Sequence, residues 1–252
     1  MALAGRRPGS AQQCPTTLVV DWDVDANANA VQTAADGDFI TIATDFPISA
    51  AGAHWPGDAG TWPVIEIRLS LDNVSYTESF FLTVDADLGQ PTRDNRLFSS
   101  LVASSGANYI QFRVLDADGL WQEVPGLILT YVNTHQGLSL EDLPSVSIAT
   151  SDASVPPAII SRAGWGADES LRFRGGVELW PVTYATVEHG IVHHSETSNV
   201  QDPVVAMRAI YYFHAITRDW GDIAYNFLID RSGNIYEGRI GGQNAVGSHA
   251  TL

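Results

Sequence analysis

The sequence predicts a multidomain protein in which an all-β sandwich is followed by a part that mixes helix and strand. Short β-branched or aromatic runs fill the first half, a stretch rich in Ser, Pro and acidic residues follows, and helical periodicity occurs only beyond it. A period of two residues is typical of strands and a period of 3.6 of helices. We therefore expect a β-sandwich over residues 15–133, a linker over 134–157 and a second domain over 158–252.

The first half contains six runs typical of strands, separated by Gly, Asp, Asn and Pro. Several short strands without a helix predict an antiparallel sandwich. The segment Tyr109–Trp121 is similar to the late hairpin of immunoglobulin-like or fibronectin-type modules. The six runs are Thr17–Trp22, Phe39–Thr44, Val64–Leu71, Tyr76–Val84, Tyr109–Leu115 and Ile128–Val132.

Charge and cysteine content limit the functional classes. The formal net charge is −16, and because phosphate backbones repel so acidic a chain, we expect no nucleic-acid partner. Cys14 is the only cysteine, so no disulfide can form within the chain. No stretch approaches the roughly 18 apolar residues of a membrane span, and the first ten residues lack the apolar run of a secretion signal.

An alternating group of acidic residues lies in the first predicted strand. Asp21, Asp23 and Asp25 would share one face of that strand and could bind calcium. Exposed strand faces and turns account for the same pattern without a metal. Both interpretations stay open at this point.

The second half predicts strand, helix, hairpin and loop in that order. The apolar run Val187–His193 predicts a strand. Asp202 followed by proline is a typical start of a helix, which should end near Arg218. The runs Tyr225–Asp230 and Asn234–Glu237 flank an Arg-Ser-Gly turn and predict a hairpin.

Residues with catalytic or ligating chemistry lie near the ends of these elements. His193, His214 and His249 could bind zinc through a neutral imidazole, and the hydroxyl of Tyr225 could donate to an oxyanion. Each of these side chains could equally be a packed or solvated residue. Periodicity alone leaves that choice open.

Five motifs follow one another through the second half, with His214 eleven residues before Tyr225. They are Ser161–Ala167, which contains Arg-Ala-Gly-Trp-Gly-Ala, then Ile191–Ser195, Tyr212–Phe227, Asp230–Gly238 with Arg239, and Ala245–Ala250. In type, order and spacing they resemble the motifs of the peptidoglycan recognition family, whose catalytic members are zinc-dependent N-acetylmuramoyl-L-alanine amidases of type 2.

The resemblance implies a fold and a set of site residues. The fold would be an incomplete α/β amidase domain with a mixed central sheet, in which His193 binds one Zn²⁺ and the remaining protein ligands lie downstream of Leu252. Tyr225 would be the catalytic tyrosine. The residues expected to line the muropeptide groove are His214, Trp220, Asn226, Arg239 and His249.

The function implied is hydrolysis of the amide between N-acetylmuramic acid and L-alanine in bacterial peptidoglycan, by a secreted or wall-associated protein. Because a catalytic zinc needs three protein ligands, this fragment is expected to be inactive by itself. One alternative is a non-catalytic module that binds peptidoglycan. Another is a cell-surface scaffold that carries an amidase remnant.

Overall fold

The computed structural model describes residues 17–27, 39–57, 63–84, 95–143, 156–188, 190–194 and 201–248. The described residues between 17 and 133, here the β unit, contain one antiparallel sheet in the order β1-β7-β2-β6-β3-β4, with β5 paired to the end of β2. Each of the six predicted runs contains a strand, and β5 adds a strand that the sequence did not predict. The strands are β1 Leu18–Asp23, β2 Ile40–Pro56, β3 Val64–Ser70, β4 Phe80–Leu82, β5 Arg96–Phe98, β6 Val102–Leu115 and β7 Ile128–Asn133.

The sheet curls because β2 is long and irregular. β2 pairs with β6 as far as Ala51 and with β7 from Ala50 onward, and its register with β6 shifts on both sides of Ile48. Such shifts bend a strand. The rings of Trp22 in β1 and Phe112 in β6 lie 5.6 Å apart, although three strand spacings would separate them by about 14 Å in a flat sheet. The curled sheet encloses one apolar core, and its classification as a two-sheet sandwich stays a prediction.

The second part, here the C-terminal unit of residues 156–248, contains the helix and hairpin expected from the sequence. Helix α1 spans Pro203–Tyr212 and continues into a π-helical turn, Phe213–Thr217. Asp202 caps α1 by accepting from the backbone N–H groups of Val204 and Val205. Strand β12 pairs antiparallel with β11 and parallel with β8, so this small sheet is mixed. The strands are β8 Ile159–Ile160, β9 Phe173–Arg174, β10 Val177–Glu178, β11 Phe227–Ile229 and β12 Ile235–Glu237.

The first residues of the predicted linker pack against α1. Thr134 is fully buried, and its hydroxyl donates to the carbonyl oxygen of Val205 in α1 over 2.8 Å. The guanidinium of Arg208 donates to the carbonyl oxygens of Thr134 and Leu138, each over 2.7 Å. The assignment of residues 134–157 as a linker stays a prediction. Residues 144–155 of that predicted linker lie outside the described residues.

The helix also contacts the curled sheet directly. The side-chain amide of Gln201 donates to the carbonyl oxygens of Ser49 and Ser104, at 2.7 and 3.0 Å. Ala209 packs in a small cluster with Ala50 of β2 and Val132 of β7. The β unit and the C-terminal unit therefore share a buried interface. The fold class expected for the C-terminal unit, an incomplete amidase domain, stays a prediction.

Candidate functional site

A tight turn after α1 brings three predicted site residues together. The backbone N–H of Arg218 donates to the carbonyl oxygen of Phe213 over 2.8 Å, five residues back, which closes the π turn. Gly221 then has a φ of +82°, and a Cβ there would lie 2.4 Å from Cβ of Leu179. π turns occur often at functional sites. The glycine is therefore required both by its backbone conformation and by the space available.

His214, Trp220 and Tyr225 form a ring cluster at this turn. The His214 ring centroid lies 5.1 Å from that of Trp220 and 5.5 Å from that of Tyr225. His214 is 3% exposed, whereas Trp220 and Tyr225 are each partly exposed. The cluster therefore presents an indole and a phenol to solvent with an imidazole behind them, which suits contact with a sugar or a peptide.

The protonation state of His214 follows from its surroundings. Burial, and then the nearby charge of Arg218, lowers the pKa of His214 well below its ordinary value. Its Nδ1 accepts from the backbone N–H of Ala224 over 3.3 Å, so the neutral ring carries its proton on Nε2. His214 is a neutral donor at physiological pH.

His193 lies in an exposed segment, and the strand predicted over Val187–His193 is wrong. Residues 190–194 pair with no strand of the described chain, and Ile191 and Val192 are 74% and 97% exposed. A β-branched run forms a strand only where a neighbouring edge pairs with it and its side chains pack. The Nδ1 of His193 contacts the carbonyl oxygen of His194 at 2.6 Å, and the two imidazole rings are stacked at 4.9 Å.

The orientation of His193 suits a metal ligand, but the described residues do not complete a zinc site. Nδ1 must donate to the carbonyl oxygen of His194, which leaves the lone pair on Nε2, as in many histidine ligands. A catalytic zinc takes three protein ligands. Within the described ranges, no group of three or more His, Cys, Asp or Glu residues could hold a metal ion.

Arg239 and Asn226, the two other described residues expected to line the groove, donate hydrogen bonds to backbone carbonyl oxygens. Arg239 is completely buried, donates to Asp222 over 2.7 Å and stacks on Trp180 with 4.0 Å between guanidinium and ring centroid. The side-chain amide of Asn226 donates to the carbonyl oxygens of Gly242 and Ala245, at 2.9 and 2.8 Å. In this structure the guanidinium of Arg239 is taken up by buried partners, and the expectation that Arg239 lines a muropeptide groove stays a prediction. His249 lies outside the described residues.

The loop held by Asn226 forms one wall of a shallow surface cleft. The cleft has a volume of about 500 Å³. Backbone bonds join its two walls, from Ala185 N–H to the carbonyl oxygen of Asn244 and from Val246 N–H to that of Thr183. The residues that line it are Tyr184, Ala185, Thr186, Val187 and Asn244. Asn226 therefore holds the loop that forms one wall of this cleft.

A buried ion network that the sequence analysis missed ties the motifs together. Asp222 is fully buried and lies 3.0 Å from a guanidinium nitrogen of Arg162 and 2.7 Å from one of Arg239. Its carboxylate also accepts from the backbone N–H groups of Ile223 and Ile240. Arg162, Asp222 and Arg239 lie in three separate motifs. The network joins the three motifs in space, and its signal in the sequence is an acidic residue inside an apolar stretch.

The acidic residues considered for calcium have protein partners. Asp21 accepts from the hydroxyl of Thr130, and Asp23 accepts from two backbone N–H groups in the following turn. Asp25 accepts from the backbone N–H of Gly126. The structure therefore favours the interpretation of exposed faces and turns.

Comparison with known proteins identifies relatives of part of the chain. The chain is 40% identical over 92 residues to peptidoglycan-recognition protein LE of Drosophila melanogaster, a match that covers 36% of this chain and 25% of the relative. It is 36% identical over 99 residues to peptidoglycan recognition protein 1 of Bos taurus, covering 37% and 46%. It is 35% identical over 95 residues to the N-acetylmuramoyl-L-alanine amidase of Homo sapiens, covering 37% and 16%.

The recognition made from the motifs is confirmed as a similarity: the matched stretch is similar to peptidoglycan-recognition proteins and to an N-acetylmuramoyl-L-alanine amidase. The chain spans less than half the length of these relatives. No protein-family model and no solved structure matches it. No helix of the described residues is long and apolar enough to cross a membrane.

Proposed function

We propose that this chain binds bacterial peptidoglycan through the partly exposed rings of Trp220 and Tyr225, as part of a zinc-dependent N-acetylmuramoyl-L-alanine amidase. The observation that carries the proposal is the ring cluster with His214, built within a stretch whose relatives are named for peptidoglycan recognition and for this amidase. Aromatic rings with a polar edge suit a ligand that combines sugar and peptide. The proposed partner lies outside the bacterial membrane, so the proposal includes a secreted or wall-associated location.

The catalytic part of the proposal assigns separate roles to two residues. Tyr225 donates a hydrogen bond from its hydroxyl to the oxyanion that forms at the scissile amide, and its partial exposure supports contact with substrate. His193 contributes one ligand of the zinc through Nε2, and the other ligands lie outside the described residues. A zinc bound there would polarise the carbonyl and lower the pKa of its water to about 7.

A binding-only protein is the second candidate function. It is favoured by one observation, that the described residues contain no group of three or more His, Cys, Asp or Glu residues that could hold a metal ion. In that case Trp220, Tyr225 and the cleft beside Tyr184 would hold the muropeptide without cutting it. The third possibility, a scaffold with an amidase remnant, requires that the chain does not bind peptidoglycan at all.

Two tyrosine variants and one histidine variant separate these functions. Tyr225→Phe removes only a hydroxyl, so hydrolysis should fall about 100-fold, the typical effect of losing one oxyanion donor, while peptidoglycan affinity changes little. Tyr109→Phe in β6 is the matched control, because Tyr109 is also partly exposed and lies in the β unit. His193→Ala should remove both zinc and hydrolysis.

The assay uses the protein with its remaining zinc ligands present, as wild type and as each variant. It measures release of N-terminal L-alanine from purified peptidoglycan with zinc supplied, beside zinc content and wall binding. Equal hydrolysis by wild type and Tyr225→Phe would contradict the catalytic role. A wild type that binds peptidoglycan but never releases L-alanine would establish the binding-only function. A wild type that does not bind peptidoglycan would leave the scaffold interpretation.

A further inference from the structure

A buried aromatic residue of the β unit contacts the turn that carries the candidate site. Phe98, at the end of β5, is 4% exposed, and the edge of its ring meets Phe213 of the π turn at 6.2 Å between centroids and 86° between planes. Gly52 of β2 allows this approach, because a Cβ there would lie 3.2 Å from the ring of Phe213. The β unit therefore reaches the turn that carries the ring cluster.

Arg218 joins Phe98 to the cluster. Arg218 is 3% exposed, and the central carbon of its guanidinium lies 5.1 Å from the ring centroid of Phe98 and 5.1 Å from that of Trp220. It lies 5.4 Å from the ring centroid of Phe213. A guanidinium held between aromatic faces has little rotational freedom, and desolvation strengthens such contacts. Trp220 in turn contacts His214, and His214 contacts Tyr225.

The β unit also fixes the ring of Phe98 from the other side. His54, its register partner across β2 and β5, stacks on it with centroids 5.2 Å apart and planes at 14°. Arg96 in turn holds His54, because its Nε donates to Nδ1 of the imidazole and it also donates to the carbonyl oxygen of His54. One side of the Phe98 ring is therefore fixed by the sheet, and the other side contacts the π turn.

We propose that Phe98 and Arg218 are positioning residues that set the orientation of Trp220 in the candidate site, so that the β unit is a structural part of the peptidoglycan-binding surface. The inference rests on the proposed function for its ligand, but the coupling itself concerns only this chain. It gives the β unit a role in the site, which neither the motifs nor the relatives assign.

The test uses the full chain and a matched pair of variants. Phe98→Leu keeps an apolar side chain but removes the ring that Arg218 faces. Phe112→Leu makes the same change in the core of the β unit, where Phe112 is completely buried and its ring contacts that of Trp22. A merely destabilised β unit would affect both variants alike, so a difference between them reports on positioning.

The readout is the ¹H–¹⁵N resonance of the Trp220 indole, assigned by its loss in Trp220→Phe, together with affinity for purified peptidoglycan. We expect Phe98→Leu and Arg218→Lys to shift this resonance and to weaken binding about tenfold, and Phe112→Leu to change neither. The double variant Phe98→Leu/Arg218→Lys should shift it no further than Arg218→Lys alone, because the two residues act in series.

An unshifted Trp220 resonance in Phe98→Leu would overturn the inference, whether or not the chain binds peptidoglycan. Equal shifts in Phe98→Leu and Phe112→Leu would also overturn it. If Phe98→Leu does not fold, Arg218→Lys decides the same question. A wild type that fails to bind peptidoglycan would overturn the proposed function instead, while the resonance shifts still decide the coupling.

Discussion

Replacement of Asp222 by asparagine should destabilise the C-terminal unit strongly. Asp222 is fully buried between the guanidinium groups of Arg162 and Arg239, which are 3% and 0% exposed. Asparagine has nearly the same volume as aspartate but no charge. Its NH₂ group would also point a hydrogen-bond donor at a guanidinium, which is itself a donor. Breaking a buried pair in this way costs about 3–5 kcal/mol because a charge is left without compensation. Since a whole domain is stable by only about 5–15 kcal/mol, much of the stability should be lost.

The exposed pair three residues earlier supplies the control. Asp219 pairs with Arg174, and the two side chains are 26% and 57% exposed. Such surface pairs contribute about 0.2–1 kcal/mol, and asparagine tolerates the φ of +59° at this position. Urea denaturation of Asp222→Asn and Asp219→Asn beside wild type measures the difference. If Asp222→Asn costs no more than Asp219→Asn, the ion network does not stabilise the fold as argued.

Two further predictions concern backbone conformation and pH. Gly221→Ala should lower the free energy of unfolding by about 2–5 kcal/mol, because it adds a clash with Leu179 to the cost of a positive φ. Gly233→Ala is the control: Gly233 has a φ of +85° and no atom within 4 Å of its Cβ position, so the loss should be only about 1–2 kcal/mol. Equal losses of stability in urea denaturation would show that the close approach to Leu179 is unimportant. Burial, and then the charge of Arg96, lowers the pKa of His54 to about 3, so the unfolded chain binds a proton that the folded chain does not. Stability should therefore fall as pH decreases from about 6.5 towards 3, by about 2 kcal/mol from His54 between pH 6.5 and 5. The fall should be smaller in His54→Gln, and an unchanged pH profile would contradict the burial argument.

Local pattern was sufficient for several elements of this chain. The N-cap at Asp202 and the proline after it predicted where α1 begins, because both act through contacts within one helical turn. The hairpin of β11 and β12 followed from a turn sequence between two apolar runs. The motif spacing also identified the family, which the relatives confirm. The helix start and the hairpin are decided by interactions between residues that lie close together in the sequence. The resemblance to relatives is a property of the sequence itself.

Tertiary structure alone decided what each motif residue does. Arg239 and Asp222 look like surface residues in the sequence, but both are completely buried because each supplies the other with a counter charge. The run ending at His193 has the composition of a strand but no strand of the described chain pairs with it. Phe98 contacts the turn before Trp220 only because a curled sheet packs on α1. These outcomes depend on partners far apart in sequence, which composition and periodicity do not specify.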